Sequence, residues 1–376
     1  MNVKVGLITT VDTNIGDDFI REGILLALGE AISKDLEITY VNKHVPGDIY
    51  PRFHPLYWVK YLPKGRVTAS RFLDGVMNRF HGSRFEDCDL VIQCGAPVFF
   101  NKCSQAEWAK IIWEHILCRL GKRIPVLNLA AGSCYPWERI PENHKELNTN
   151  DAYFIEKITK ACALTMVRDR LSKQLLEEMQ LEAQQQICSA FLAGRKYKKK
   201  TADAKFVFFN YMQGGGHFDF GQNIDTKRWE TTVRSIIEQV RKSHPVACIC
   251  HDQKEFHLAG QLFPDIPRFF PRTVEEYFNL AALGIAGVFN RMHAAVAFAG
   301  MGIPSVAVGT DSRMLMVKEL SMPVYYVKDA DAQQICSDLE RMLKARDAER
   351  DRLTALSDNV FLDYVERIRG VIFDAN

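Results

Sequence analysis

No apolar run in this sequence is long enough to cross a bilayer. The most membrane-like stretch, Ala294 to Gly309, is bounded by His293 and Asp311 and broken by Gly300, Gly302 and Pro304. It falls short of the ~20 residues a spanning helix needs and reads as buried helix, turn and strand. Neither sign of charge dominates: 48 Lys+Arg face 46 Asp+Glu, a net +2 over 376 residues. That balance argues against a nucleic-acid binder, and 47% hydrophobic residues argue against disorder. A disulfide framework is missing too. The ten cysteines, at 88, 94, 103, 118, 134, 162, 188, 248, 250 and 336, are scattered and read as reduced thiols, which points to the cytoplasm. Met1 to Ile8 enters a strand-like run too short for a signal peptide, so the chain is expected not to be exported. Internal repeats and low-complexity tracts are absent as well.

The length itself suggests two or three domains at about 150 residues each. Short apolar runs alternate with amphipathic segments in both halves, the pattern of parallel sheets built from strand-helix units. The first half predicts strands at Val3 to Thr9, Leu36 to Val41, Asp89 to Gln93, Pro125 to Ala130 and Leu164 to Val167. Helical spacing places Ile20, Ile24, Leu25, Leu28 and Ile32 on one face, and Trp108, Ile111, Ile112, His115 and Ile116 on another. Residues 43 to 66, with four prolines, read as an irregular excursion. The cationic run Gly194 to Lys200 reads as a solvated linker. Beyond it, strands are expected at Phe206 to Phe209, Val246 to Ile249, Gly287 to Phe289, Ser305 to Val308 and Val324 to Val327. Helices fall at Thr226 to Val240, Val274 to Leu283 and Met292 to Ala299, and Asp331 to Phe373 is charge-rich and helical. The division is 1–193, a linker at 194–204, a second sheet domain at 205–350, and a C-terminal helix at 351–376.

In open parallel sheets ligands bind outside the carboxyl ends of the strands, so the turns there matter most. Phe289-Asn290-Arg291-Met292-His293 lets Asn290 cap the next helix and puts Arg291 and His293 in its first turn, which makes an anion site. The plainer alternative is a half-buried histidine beside a surface cation. Val167-Arg168-Asp169 offers a second cation, or an Arg168–Asp169 ion pair. After the first strand, Asn14-Ile15-Gly16-Asp17 is a capped turn with neither a Rossmann nor a P-loop glycine pattern. Cys94-Gly95-Ala96-Pro97 is a tight turn with no sign that Cys94 is a nucleophile. Gly214-Gly215-Gly216-His217 could wrap a phosphate or sugar, or be a mobile loop. Cys248-Ile249-Cys250-His251 matches no zinc spacing, and no metal is expected.

These turns together resemble the polysaccharide pyruvyl transferase family. Asn14-Ile15-Gly16-Asp17 is similar to its Asn-x-Gly-Asp turn, and Asp89 to Ile92 leads into the Gly95 turn. Arg168-Asp169-Arg170-Leu171-Ser172 is similar to Arg-Asp-x-x-Ser. Arg291-Met292-His293, Gly302-Ile303-Pro304 and Asp311-Ser312-Arg313 are similar to Arg-Leu-His, Gly-x-Pro and Asp-x-Lys. The chain departs from the pattern in its reduced glycine stretch at Cys94 to Pro97, in Cys188-Ser189 where Asp-Pro is usual, and in Arg313 for lysine.

The resemblance implies two Rossmann-like domains facing a cleft, as in the GT-B architecture. It also implies transfer of pyruvate from phosphoenolpyruvate to a sugar as a ketal, without a further cofactor. His293 is then the expected acid/base, and Arg168, Arg291, Arg313 and Asn290 bind the donor. Asn14, Gly16 and Gly95 line the opposing wall, where Asp17 is a base for the acceptor hydroxyl. The acceptor is a saccharide or lipid-linked saccharide. Tyr57, Trp58 and Tyr61, with Lys60 and Lys64, offer a peripheral contact to the inner membrane face, or stack in the core or on a sugar. A GT-B-like glycosyltransferase using a nucleotide sugar and a non-catalytic binding protein of the same fold are the alternatives.

Overall fold

The computed structural model describes residues 2–11, 14–61, 82–197 and 204–374. Two parallel sheets form, one from each half of the chain. Strands β1 (Val3–Thr9), β2 (Leu36–Asn42), β3 (Leu90–Cys94), β4 (Pro97–Phe99), β5 (Val126–Ser133), β6 (Leu164–Val167) and β7 (Gln184–Gln185) make the first, in the order β2-β1-β3-β5-β6-β7 with β4 on β5. Strands β8 (Phe206–Asn210), β9 (Val246–Ile249), β10 (Arg268–Phe269), β11 (Gly284–Phe289), β12 (Ser305–Gly309) and β13 (Val324–Tyr326) make the second, in the order β10-β9-β8-β11-β12-β13. The central strands β3, β5, β11 and β12 are buried along their whole length, as parallel strands covered on both faces must be.

In each sheet the chain runs outward to one side of its first strand and then returns to the other. The order therefore reverses between β1 and β3, and again between β8 and β11, which are the positions where such sheets bind ligands. The covering helices are α1 (Ile15–Ile32), α2 (Ala109–Leu117), α3 (Thr149–Lys160), α4 (Arg170–Glu178), α5 (Ala190–Ala193), α6 (Thr226–Val240), α7 (Gln253–Leu262), α8 (Val274–Ala281), α9 (Met292–Gly300), α10 (Ala332–Lys344) and α11 (Arg346–Asp374). Helix α11 returns from the second sheet to the first: Arg369 donates to the carbonyls of Glu30 and Ala31 at the end of α1, and Tyr364 to that of Ile187.

Several expectations need correction. Helix α2 is wound with π spacing, which the positions of its apolar residues do not reveal. β11 starts three residues earlier than expected, because Gly284 looks like a helix stop rather than a strand start. Helix α7, overlooked in the sequence, carries an acidic pair of the site. The excursion after β2 contains two short 3-10 segments, Pro46–Ile49 and Pro55–Tyr61. Trp58 and Tyr61 are exposed there, whereas Tyr57 packs on the core. Lys64, the side chain of Lys60 and residues 198–203 of the expected linker lie outside the described residues. Among the described residues no helix is long and apolar enough to cross a membrane.

Candidate functional site

The two switch points face one another, and the site grows from the residues that end β8 and β11. Asn210, the last residue of β8, accepts a hydrogen bond from the Arg291 N–H at 3.0 Å and donates to Glu255 at 2.7 Å. Helix α9 begins at Met292 with Arg291 in the capping position and no side-chain cap. Asn290 is therefore not the expected cap. Its oxygen accepts from the Met212 N–H at 2.9 Å, and its nitrogen donates to the carbonyls of Gly215 at 3.2 Å and Val308 at 2.9 Å. With its polar atoms bonded to backbone, Asn290 ties the Gly214 loop to the ends of β11 and β12, in the wall of the pocket that His293 also lines. The same bonds seat that loop, which the sequence alone leaves open to being mobile.

Arg291, expected to bind the donor, has a protein partner on each of its three guanidinium nitrogens and lines the pocket. Its Nε donates to Glu255 at 2.6 Å, Nη2 to Asp252 at 2.7 Å, and Nη1 to His217 Nδ1 at 3.0 Å. Both carboxylates come from the start of α7, where Asp252 caps the helix and accepts from the Glu255 N–H. Burial raises the Glu255 carboxyl, while Arg291 opposes that effect. A guanidinium can only donate, so Nδ1 of His217 accepts and its neutral ring carries the proton on Nε2. Arg291 is thus a positioning residue for His217. The Asp252-x-x-Glu255 spacing is a capping-box signal from which α7 was legible.

Arg313 is held differently. Its Nε and Nη2 grip the two carboxylate oxygens of Asp311 at 2.7 and 2.6 Å, and its guanidinium lies 4.5 Å from the ring centre of Phe218. The first half of the chain braces this turn directly. Ser133 and Ser312 hydroxyls meet at 2.7 Å, Tyr135 exchanges bonds with Ser312, and the Trp137 N–H donates to the Thr310 carbonyl.

From the first half come Arg168, at the end of β6, and the first turn of α1. Arg168 is 1% exposed, yet forms no ion pair with Asp169. Asp169 instead accepts from the Ser133 N–H and from both the N–H and hydroxyl of Ser172. Arg168 Nη1 lies 3.5 Å from His293 Nε2, and its Nη2 is buried with no hydrogen-bond partner among the described residues. Asn14 caps α1 by accepting from the Gly16 N–H at 3.1 Å and lines the same pocket as His217, His293 and Arg313. Gly16 backs onto His293: a Cβ there would stand 2.6 Å from its Nδ1. Asp17, half-buried in that first turn, makes no ion pair among the described residues, and its charge reaches His217 and Arg313. Gly95, expected on the cleft wall, faces Ile20 of α1 instead. Its φ of +54° suits glycine, but the next residue, Ala96, bears a φ of +94° where the family's stretch has glycines. Burial pushes the Cys94 thiol up, away from nucleophile chemistry.

The cationic crowding governs the histidines. Burial and then Arg168, Arg313, His251 and Arg291 hold the pKa of His293 well below its ordinary value. Burial first, and these cations after it, thus move His293 away from the titration near neutrality expected of it. Burial and Arg291 do the same to His251, whose Nδ1 is buried without a partner among the described residues. His217, though exposed on the loop, is crowded by its surroundings and by Arg291 and Arg313, which push it down to about 4. Three arginines, two of them ion-paired among the described residues, thus converge with three histidines whose pKa values lie below the ordinary one.

A family model described as polysaccharide pyruvyl transferase matches residues 14–312. No curated protein matches the sequence. Among solved structures, S. aureus MnaA with UDP is similar with a TM-score of 0.55 at 11% identity, covering 97% of this chain and 94% of that one. UDP-GlcNAc 2-epimerase from Neisseria meningitidis gives 0.53 at 10% identity, covering 98% and 100%, and that from Methanocaldococcus jannaschii gives 0.50 at 13%, covering 91% and 93%. At such identities the likeness is one of fold, the two-domain GT-B arrangement.

Proposed function

The chain belongs to the polysaccharide pyruvyl transferase family, and from that membership we propose that it moves pyruvate from phosphoenolpyruvate to a saccharide as a ketal. It is a transferase, and the family implies a saccharide acceptor. The observation that carries the donor assignment is Arg168, a guanidinium 1% exposed with an unpartnered Nη2, pointing at His293 from the opposite half of the chain. A buried cation without a counterion costs stability, and a small substrate carrying both carboxylate and phosphate would offset that cost.

The proposed chemistry follows from the electrostatics. A bound polyanion offsets the arginines that add to burial in keeping His293 neutral, so the imidazole takes up a proton in the donor complex. His293 then delivers that proton to the methylene carbon of the enol, leaving the adjacent carbon cationic. A sugar hydroxyl adds there and gives its proton to Asp17. The carbon–oxygen bond to phosphate breaks, and a second hydroxyl closes the ketal, its proton leaving with phosphate. One donor and one diol thus become one ketal and one phosphate. Arg168 and Arg313 steady the anion, and Arg291 keeps His217 Nε2–H aimed into the pocket. The chain's own residues suffice for this scheme, with no further cofactor.

The test is calorimetric titration of the purified protein with phosphoenolpyruvate, with UDP-GlcNAc as the competing ligand. Binding of phosphoenolpyruvate that releases phosphate with an acceptor, and turnover lost in His293→Ala with binding kept, is the expected result. Binding of UDP-GlcNAc alone would turn the reading to a nucleotide-sugar enzyme, and donor binding without turnover on any acceptor to a binding protein.

A further inference from the structure

His251 ends the run Cys248-Ile249-Cys250-His251, and the function proposed above gives it no part. It stands just past the carboxyl end of β9, next to the strand that opens the second switch point. Two bonds fix it there. Its N–H donates to Glu255 at 2.8 Å, and the same carboxylate accepts from Asn210 at the end of β8 and from Arg291. Its Nε2 lies 3.2 Å from the Tyr277 hydroxyl, and the ring packs edge-on against Tyr277 of α8 and Phe19 of α1. The residue is 5% exposed and lines the same pocket as Asn14, His217, Arg291 and His293.

Hydrogen-bond counting decides which ring nitrogen carries the proton. Tyr277 is fully buried, and among the described residues its hydroxyl has no partner except His251. That O–H is satisfied only by donating to Nε2, which leaves the ring proton on Nδ1. The opposite tautomer would strand both the tyrosine proton and the Nδ1 lone pair. Nδ1 is itself buried, with no partner among the described residues. The two ring nitrogens diverge, so the one not bonded to Tyr277 is turned away from it. An unmet N–H donor thus belongs to the wall of a pocket that Arg291 and Arg313 also line, and it costs stability until an acceptor arrives. Burial, and then Arg291, keep the imidazole unprotonated, so the ring offers one neutral hydrogen bond and not a further cation.

We propose that His251 is a further ligand of the anion bound in this pocket, its Nδ1–H donating to a carboxylate or phosphate oxygen while Tyr277, as a positioning residue, holds the tautomer. The donor's identity rests on the function proposed above, whereas the anion-binding role of His251 does not. A histidine kept for packing would need only the Tyr277 bond and the contact with Phe19, and its Nδ1 would then be indifferent to any anion.

Two substitutions separate the nitrogens. An asparagine amide reaches the place of Nδ1, and a glutamine amide that of Nε2. His251→Gln keeps a partner for Tyr277 and should bind phosphoenolpyruvate at least tenfold more weakly by calorimetry, whereas His251→Asn should stay within about threefold of the parent protein. Parent-like affinity in His251→Gln, or an equal loss in both variants, overturns the proposal. Nitrogen-15 spectra of the histidine rings in the unaltered protein give a reading that survives if neither variant folds. They should place the His251 proton on Nδ1 and show that nitrogen shifting as phosphoenolpyruvate saturates. A proton on Nε2, or a ring unmoved at saturation, overturns the assignment. Separate titrations with inorganic phosphate and with pyruvate tell which end of the donor His251 holds, by which of them moves Nδ1. If the parent protein does not bind phosphoenolpyruvate, the donor reading fails, and inorganic phosphate decides the role of His251. A shifted Nδ1 upholds it, while an unmoved ring or absent binding overturns it.

Discussion

Gly16 and His293 touch because residue 16 has no side chain: a Cβ there would stand 2.6 Å from the imidazole Nδ1 and 2.9 Å from the histidine Cβ. The first turn of α1 and the first turn of α9, from opposite halves of the chain, thereby set where the proposed acid/base lies. Gly16→Ala should lower the melting temperature, because a methyl group forced against buried His293 costs more than the up to about 1 kcal/mol that alanine gains in helix propensity. It must push the imidazole aside, and a displacement of about 1 Å is worth roughly a hundredfold in turnover. Phosphate release from phosphoenolpyruvate with an acceptor, alongside a thermal melt, checks this. Turnover within twofold of the parent would remove His293 from the catalytic role.

Much of this was legible in the sequence, for a physical reason. Parallel strands buried on both faces are short continuous apolar runs, so β1, β6 and β9 have the bounds that their runs suggest. The switch-point turns are likewise marked by residues that cap or charge a helix start, which is how Asn14, Asp17, Arg168, Arg291 and His293 are found. Partner choice is what a linear reading lacks. Arg291 looks like a free cation because its neutralising groups, Asp252 and Glu255, lie 36 to 39 positions away on α7. Lys43 looks like the first residue of a loop, and only the meeting of β1 and β2 reveals it as buried. Asn290 has the right place for a cap, but nearby backbone groups of another loop compete for its side chain.

The neutral histidines predict an early loss of stability in acid. His293 and His251 have folded pKa values well below the ~6.5 of an unfolded chain. Below that value the unfolded state binds protons that the folded state excludes. Their contribution is thus fully present above about pH 6.5 and is lost as pH falls below it, at about 1.4 kcal/mol per pH unit for each histidine. His217, down at about 4 but exposed, adds less. The melting temperature should fall steeply between pH 7 and pH 5, before most carboxylates titrate. His293→Gln should flatten the fall, and saturating phosphoenolpyruvate should do so too, because the bound anion lets His293 keep its proton. A melting temperature level from pH 7 to pH 5 contradicts the assignment.

The arginines at the site divide by whether the protein already neutralises them, and mutation should separate them. Removing Arg291 leaves Glu255, 5% exposed, as a buried carboxylate without its counterion, and frees His217 and Asp252. Breaking a buried pair in this way costs about 3–5 kcal/mol, so Arg291→Ala should melt well below the parent, and its loss of donor affinity will be mixed with loss of order. Among the described residues Arg168 has no carboxylate partner, and its hydrogen-bond contacts are His293 and the Cys188 sulfur. Arg168→Met keeps most of the buried volume and removes an unbalanced charge, so its melting temperature should hold or rise. Without that cation the field on His293 weakens, so its pKa should move up toward the ordinary value in the free protein, readable by NMR titration of the ring. Donor affinity in the same variant should fall at least tenfold. An Arg168→Met protein that melts as low as Arg291→Ala would mean that Arg168 is bound structurally, and the anion site would then have to be built around Arg313 instead.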